Sequence, residues 1–383
     1  MTKRKIAVLT GARADYGRIK SVLDAIKKHP KLDLSLIVTG MHLVPEMGNS
    51  YKLIEQDGFD IDAKVPMYSH AGDTGGAMVK DYAKCTSGMA DALDRIKPDI
   101  FLISVDRVET LAGAVAGAFM NLPLAHIQGG EVTGTIDENI RHAVTKFSHV
   151  HFPANKDAAD RIISMGENPK YVFTVGCPYF DIIHNLDYTS KEELVKQFGL
   201  NPNKPLALFV QHPVTTEEKD SARQFFNTFE ALKKFDLETI LLYPNIDAGG
   251  KRIIEEIKKS NAKHYMVLPF RTYLSLLKIS DFMIGNSSSA IREAPTFKLP
   301  AVNIGTRQQG RQRSSNVINV GYETAEIVKG IEKVLYDKEF RENLNTCENP
   351  YDPFADGKGG ERIANILADL DLKMLPIQKR MTY

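Results

Sequence analysis

The chain is poor in cysteine. Cys85, Cys177 and Cys347, three in 383 residues, lie far apart and are odd in number. They form no CxxC pair, no zinc-ligand spacing and no disulfide framework, a usage that fits a reducing, cytoplasmic compartment. An excess of one charge is missing too. Lys and Arg number 49 against 48 Asp and Glu, a formal net charge of +1, so there is no global basic field for nucleic acid and no acidic tail. No apolar run approaches the length of a membrane span, and the one in MTKRKIAVLTGARADYG is too short for a signal peptide. Neither nucleic acid nor a membrane is therefore an expected partner. Low-complexity segments and internal repeats are absent. There is also no GKS/T phosphate loop and no GxGxxG, which speaks against an ATPase and against an ordinary NAD enzyme.

What is present is an ordinary globular composition, 43% hydrophobic and 25% charged, in a length that favours two domains over one. Short apolar runs alternate with helical stretches throughout. Strands are expected at 5–10, 32–39, 100–104, 124–127, 149–152 and 171–175. A second set is expected at 206–210, 239–243, 264–268, 281–284, 301–304 and 317–320. Helices are expected from the turn 11–17 to near His29, and at 80–97, 109–120 and 359–370. Such alternation specifies parallel sheets covered on both faces. The fold class expected is α/β, with two Rossmann-like doubly wound domains facing a central cleft, the usual place for a nucleotide-linked substrate. The punctuation Gly176-Cys-Pro178 puts the junction just after it. The expected domains are 1–178, with a C-terminal helix at about 360–383 crossing back, and 179–359.

The stretch 98–142 dominates the chemistry. An apolar run ends at Asp106 and Arg107, a helix rich in Ala and Gly follows for close packing, and a second short strand runs into GGEVTGTIDENIRH. In open α/β sheets, ligands sit outside the carboxyl ends of strands. Two neighbouring strand ends thus deliver Asp106, Glu131, Asp137 and Glu138 with Arg107 and Arg141. Acids mixed with arginines suit proton transfer beside an anionic substrate. Glycines at 129, 130 and 134 are read as letting the backbone approach the ligand.

In the second half, Gln211-His212-Pro213, the 244–250 loop and Gly285-Asn-Ser-Ser-Ser-Ala-Ile-Arg-Glu293 follow strand ends. Small hydroxyl residues opening a helix offer free N–H groups to a phosphate. Arg307 and Arg311, after the next strand, supply cations to the same rim, and Glu293 is placed to accept from ribose hydroxyls. Plainer readings exist. Asn286-Ser-Ser-Ser can serve as an N-cap, Arg13 and Asp15 as a local salt bridge, and Glu138 with Arg141 as a helical pair. His149 and His151 read as structural rather than metal ligands.

Taken together, RADY (13–16), DR (106–107), GGEVTGTID (129–137), IRHAVTK (140–146), GCP (176–178), QHPVTT (211–216), PNIDAG (244–249), GNSS (285–288), RE (292–293) and GTRQ (305–308) carry a resemblance. The chain resembles the hydrolysing UDP-N-acetylglucosamine 2-epimerases of sialic acid biosynthesis. It is also similar to a related branch acting on nucleotide-linked 2,4-diacetamido-trideoxy sugars on the way to legionaminic acid. The resemblance implies a glycosyltransferase-B type arrangement and a two-step reaction. UDP is eliminated anti from UDP-GlcNAc to leave 2-acetamidoglucal, and water then adds with protonation at C2 to release N-acetylmannosamine. No metal or other cofactor is implied. The expected partner is the nucleotide-sugar substrate, in a cytoplasmic homo-oligomer, a dimer or tetramer.

Carried over by position, Asp106, residue 128 and Asp137 fall on catalytic acids and His212 on an essential histidine. Arg13, Arg107, Asn245, Ser287, Ser288, Glu293 and Arg307 fall on UDP contacts, and His42 on a site-lining histidine. Asp15, Arg141 and Asn286 complete the candidate substrate-binding set. One departure stands out: many relatives read HIEGGE where this chain has His126-Ile-Gln-Gly-Gly-Glu131. The amide of Gln128 can orient but not titrate, which makes Glu131 the candidate substitute. Rival readings are a non-hydrolysing 2-epimerase, a glycosyltransferase of the same fold and a non-catalytic nucleotide-sugar sensor.

Overall fold

The computed structural model describes residues 3–45, 48–68, 74–132, 136–244, 249–260, 262–266 and 268–382. The chain divides into two compact units, Met1–Asn185 with Phe354–Tyr383, and Leu186–Pro353. Each is an α/β unit around a six-stranded, all-parallel sheet.

The first sheet contains β1 (Arg4–Thr10), β2 (Leu32–Thr39), β3 (Ala63–Val65), β4 (Ile100–Ser104), β5 (Leu124–Ile127) and β6 (Val150–Phe152), ordered β3-β2-β1-β4-β5-β6. This is the doubly wound order whose switch point lies between β1 and β4, and there Ile6, Ala7 and Val8 pair with Ile100, Phe101 and Leu102. Alternating side chains feed two cores. Ile6, Val8, Leu102 and Phe152 pack on one face with Leu23 and Ile363, and Ala7, Leu9, Phe101 and Ile103 on the other with Leu93 and Ala116. The small-residue helix Val108–Phe119 does pack close: a Cβ at Gly113 would meet Leu9 at 2.8 Å, and one at Gly117 would meet Leu124 at 2.7 Å. The helix Gly359–Asp369 belongs to this unit. The Asp181 carboxylate accepts from the N–H groups of Gly359 at 2.8 Å and Gly360 at 2.7 Å, satisfying first-turn donors and the positive helix end together.

The second sheet contains β7 (Leu206–Val210), β8 (Glu238–Leu242), β9 (Lys263–Tyr265), β10 (Phe282–Gly285), β11 (Ala301–Ile304) and β12 (Val317–Val320), ordered β12-β11-β10-β7-β8-β9. Its switch point lies between β7 and β10, where Val210 pairs with Gly285. Phe209, Phe225, Phe282, Ile284 and Val302 form its core. The two doubly wound Rossmann-like units are the fold class that the alternation predicts.

Three local expectations are corrected. Residues 171–175 form no strand; a 3-10 turn, Pro169–Tyr171, is followed by a single bridge from His151 to Val172. Pro153, directly after β6, has no N–H to continue the ladder. The first helix begins at Arg13, so Gly17 lies inside it and not in a turn. The C-terminal helix expected at about 360–383 is shorter, Gly359–Asp369, and residues 371–382 form no helix. β3, which has three residues, too few to show a period, was not expected.

Candidate active site

In the first unit, two adjacent strand ends share an unusual conformation. Val105, after β4, has φ 56°, and Gln128, after β5, has φ 60°. Left-handed backbone is costly for non-glycine residues, most of all β-branched ones, at about 1–3 kcal/mol each, and persists only where surroundings enforce it. Here the Val105 N–H donates to Ile127 O at 3.0 Å and its carbonyl accepts from His126 Nε2 at 2.8 Å. Burial pushes His126 down to about 3, so it stays a neutral strut.

Arg141 ties these strand ends together. Its Nη1 donates to Glu131 O at 2.6 Å and its Nη2 pairs with the Asp106 carboxylate. The guanidinium is buried and Asp106 is nearly so. Glu138 lies 3.8 Å from His142 Nε2. Gln128 is also buried. Its amide donates to Glu131 Oε1 at 3.3 Å and to Cys177 Sγ at 3.0 Å. Asp137 stands exposed on the first turn of the helix Ile136–Phe147. The reading of the glycines as ligand approaches is corrected at 129 and 130. A Cβ on Gly129 would meet the His126 ring at 2.8 Å, and one on Gly130, at φ 79°, would meet Ala158 O at 2.2 Å. Both therefore serve protein packing; residue 134 lies outside the described residues.

A second cluster forms around Arg107. Its Nε is 3.3 Å from Glu109 Oε2 and 3.8 Å from Asp15 Oδ2, so Asp15 pairs with Arg107 and the expected local pairing with Arg13 gives way. Tyr68 OH donates to Glu109 Oε1 at 3.4 Å. Burial lifts Asp15 to about 6 against the pull of Arg107. Arg13 is exposed at the start of its helix. His42 is fully buried, with Nε2 3.0 Å from Thr10 Oγ1 and Nδ1 2.8 Å from Ser50 Oγ. Burial pushes it down to about 4, so it is neutral at ordinary pH.

In the second unit, Asn286 clasps the backbone of His212. Its Oδ1 accepts from His212 N at 2.7 Å and its Nδ2 donates to His212 O at 2.8 Å. Gly285, at φ 121°, permits this approach, since a Cβ there would lie 2.0 Å from Val210 O. Arg307 Nη1 at 3.1 Å and Gln308 Nε2 at 2.8 Å both donate to Asn286 O. Ser287 Oγ accepts from Ser289 N at 3.3 Å. The helix that follows Ser288 is one turn, Ser289–Arg292, too short for the macrodipole argument; an anion here would depend on Arg307 and backbone donors. Glu293 Oε2 is buried without a hydrogen-bond partner, an acceptor left open. The half-buried Tyr273 phenol is raised by desolvation and then by the Glu293 charge. Asn245 lies outside the described residues.

His149 and His151 have structural engagements. His149 Nδ1 accepts from Leu124 N at 3.1 Å, and His151 Nε2 lies 3.3 Å from Glu167 Oε2. Among the described residues no three His, Cys, Asp or Glu side chains are grouped to hold a metal, and no helix is long and apolar enough to cross a membrane. Chemically, the first unit holds carboxylates beside the buried Arg141 and the half-buried Arg107, and the second holds Asn286 joined both to the His212 backbone and to Arg307, with an open carboxylate oxygen on Glu293.

Residues 24–368 match the family described as UDP-N-acetylglucosamine 2-epimerase. The chain belongs to that family. It is 36% identical over 385 residues to a UDP-N,N'-diacetylbacillosamine 2-epimerase (hydrolyzing) of Legionella pneumophila, covering 99% of this chain and 100% of that one. It is 37% identical over 353 residues to a GDP/UDP-N,N'-diacetylbacillosamine 2-epimerase (hydrolyzing) of Campylobacter jejuni, covering 90% of each. A UDP-N-acetylglucosamine 2-epimerase of Neisseria meningitidis serogroup B is 36% identical over 335 residues, covering 86% and 87%. Among solved structures, the Neisseria meningitidis UDP-GlcNAc 2-epimerase bound to UDP-GlcNAc superposes with a TM-score of 0.80 at 19% identity, covering 96% of this chain and 100% of that one. That likeness concerns the fold.

Sequence reasoning about this family member missed Glu109. It is buried, and it is the residue that holds Arg107. A signal existed: it is the lone charge in VETLAGAVAGAF, and a charged residue in an otherwise apolar helix needs a partner. The contact of Gln128 with Cys177 had no such signal.

Proposed function

We propose that this epimerase-family protein hydrolyses a UDP-linked 2-acetamido sugar with inversion at C2. The observation that carries the reading is the Arg141 bracket, which gathers Asp106 and the Glu131 backbone where two strands end. In the first step a carboxylate takes the C2 proton, the bond from C1 to the UDP oxygen breaks, and a C1=C2 double bond forms. In the second, water adds its hydroxyl to C1 while a proton reaches C2 from the other face. The sum is UDP-sugar plus water giving UDP and the free 2-epimer.

Asp106 and Asp137 carry the proton transfers, and the pairing with Arg141 aims the Asp106 carboxylate. Glu131, held by the Gln128 amide, stands in for the acid that many relatives have at 128. Arg307 and Glu293 hold the nucleotide, with Arg307 stabilising the departing diphosphate. The hydrolysing outcome is supported by the two relatives that bear that description. The sugar has two readings. UDP-GlcNAc is supported by the meningococcal relative, and a UDP-linked diacetylbacillosamine by the Legionella relative, which aligns end to end. A cytoplasmic dimer or tetramer is part of the same proposal.

The test offers each UDP-sugar in heavy water and follows products by NMR. Free 2-epimer deuterated at C2 is the expected result, and the faster sugar names the substrate. A product still linked to UDP means a non-hydrolysing enzyme, a requirement for an acceptor means a transferase, and binding without turnover means a sensor.

A further inference from the structure

Residues 371–382 form no helix or strand, yet they are fastened along the first unit. Tyr171 OH donates to Met374 O at 2.9 Å, His149 Nε2 to Ile377 O at 3.0 Å, and Thr382 N to Gly166 O at 3.1 Å. Leu375 is buried in the core. The ammonium of Lys379 reaches the far end of the helix Ile136–Phe147. It donates to the carbonyls of Thr145 at 3.3 Å, Lys146 at 2.8 Å and Ser148, and pairs with Glu167 Oε2 at 2.6 Å. Glu167 in turn takes Lys146 Nζ at 2.5 Å through its other oxygen.

The last carbonyls of a helix have no partner within it and carry its negative end. One ammonium here meets both needs and adds an anchor through Glu167. The anchored helix is the one whose opening turns bear Asp137 and Arg141. We infer that Lys379 is a positioning residue, a peg that fixes this helix and with it the Arg141 bracket on Asp106 and Glu131. The inference rests on the reading of the site given above. A twelve-residue helix moves as one body, so freedom at its last turn becomes misplacement at its first. A displacement of about 1 Å can cost on the order of 10² in rate.

The test compares Lys379→Met and Lys379→Arg with the parent protein. Met keeps the length and removes the charge and donors; Arg keeps both. In Lys379→Met, amides of 136–147 should exchange roughly tenfold faster while β1 and β2 keep their protection. Turnover should fall about tenfold with KM and UDP affinity within about twofold, and Arg should recover most of it. Unchanged exchange over 136–147 overturns the inference. Equal loss of protection in β1 and β2, which would mean general destabilisation, overturns it too. If the parent protein turns over neither sugar, the functional reading fails, and the exchange comparison still decides whether Lys379 holds the helix.

Discussion

Asn286 and His212, 74 positions apart, are joined by two hydrogen bonds of 2.7 and 2.8 Å between one carboxamide and one backbone unit. The amide is complementary at both ends, accepting from N–H and donating to C=O. Asn286→Asp keeps the shape but turns an oxygen toward the His212 carbonyl. Losing one buried hydrogen bond and opposing two acceptors should cost roughly 1–3 kcal/mol of stability. Turnover should fall more than UDP affinity if His212 takes part in the chemistry. Denaturant unfolding and steady-state kinetics check this, and wild-type behaviour in both would remove any role for the clasp.

Arg307 donates to Asn286 O at 3.1 Å, so its guanidinium is already oriented by the protein. Arg307→Ala should weaken UDP binding by roughly 1.5–3 kcal/mol, the worth of a charge-assisted hydrogen bond. Calorimetry on the folded variant measures it, and unchanged affinity would take Arg307 out of the diphosphate site.

Asp106→Asn and Asp137→Asn each remove a titratable group at nearly constant shape. Each should lower overall turnover by about 10²–10⁴, the usual worth of a general acid or base, with UDP affinity much less affected. A variant impaired only in the second step should release detectable glycal. Gln128→Ala should cost less than either, because an amide only orients. Near-normal turnover in either Asn variant, or Gln128→Ala as the most damaging change, contradicts this division of roles.

Asp15 offers a test by pH. Burial disfavours the charge and lifts its carboxyl to about 6 in the folded protein, against an ordinary 3.8. Between those values the native state binds more protons than the unfolded state, so this residue's contribution to stability falls as pH rises from about 4 to 6. Asp15→Asn removes the titration. Its stability relative to wild type should grow across that window and level off above it, by an amount of roughly 3 kcal/mol at most. Chemical unfolding at several pH values decides, and a pH-independent difference would place the Asp15 titration elsewhere.

The sequence by itself determined most of both parallel sheets, with the three-residue β3 the exception. Each buried strand writes its own short apolar run, as in 100–104 and 301–304, and the helices between them impose parallel pairing. Local composition also marked the stretch proposed to carry the chemistry, since Asp106 stands where one buried strand must end and Glu131 and Asp137 follow the end of the next. What it left open were pairings between positions far apart in the chain. Arg141 pairs with Asp106, 35 positions back. Glu109, Cys177 and Lys379 found partners by the same route, through the close approach of surfaces that no local pattern records. Segment 171–175 was misread as a strand because its apolar residues serve the core while making only a single bridge, and Pro153 ends the ladder it would need. Period and burial are properties of a segment, and the sequence carries them. Which charge meets which is settled only when the sheets are assembled, because a buried charge takes whatever partner the fold brings within reach.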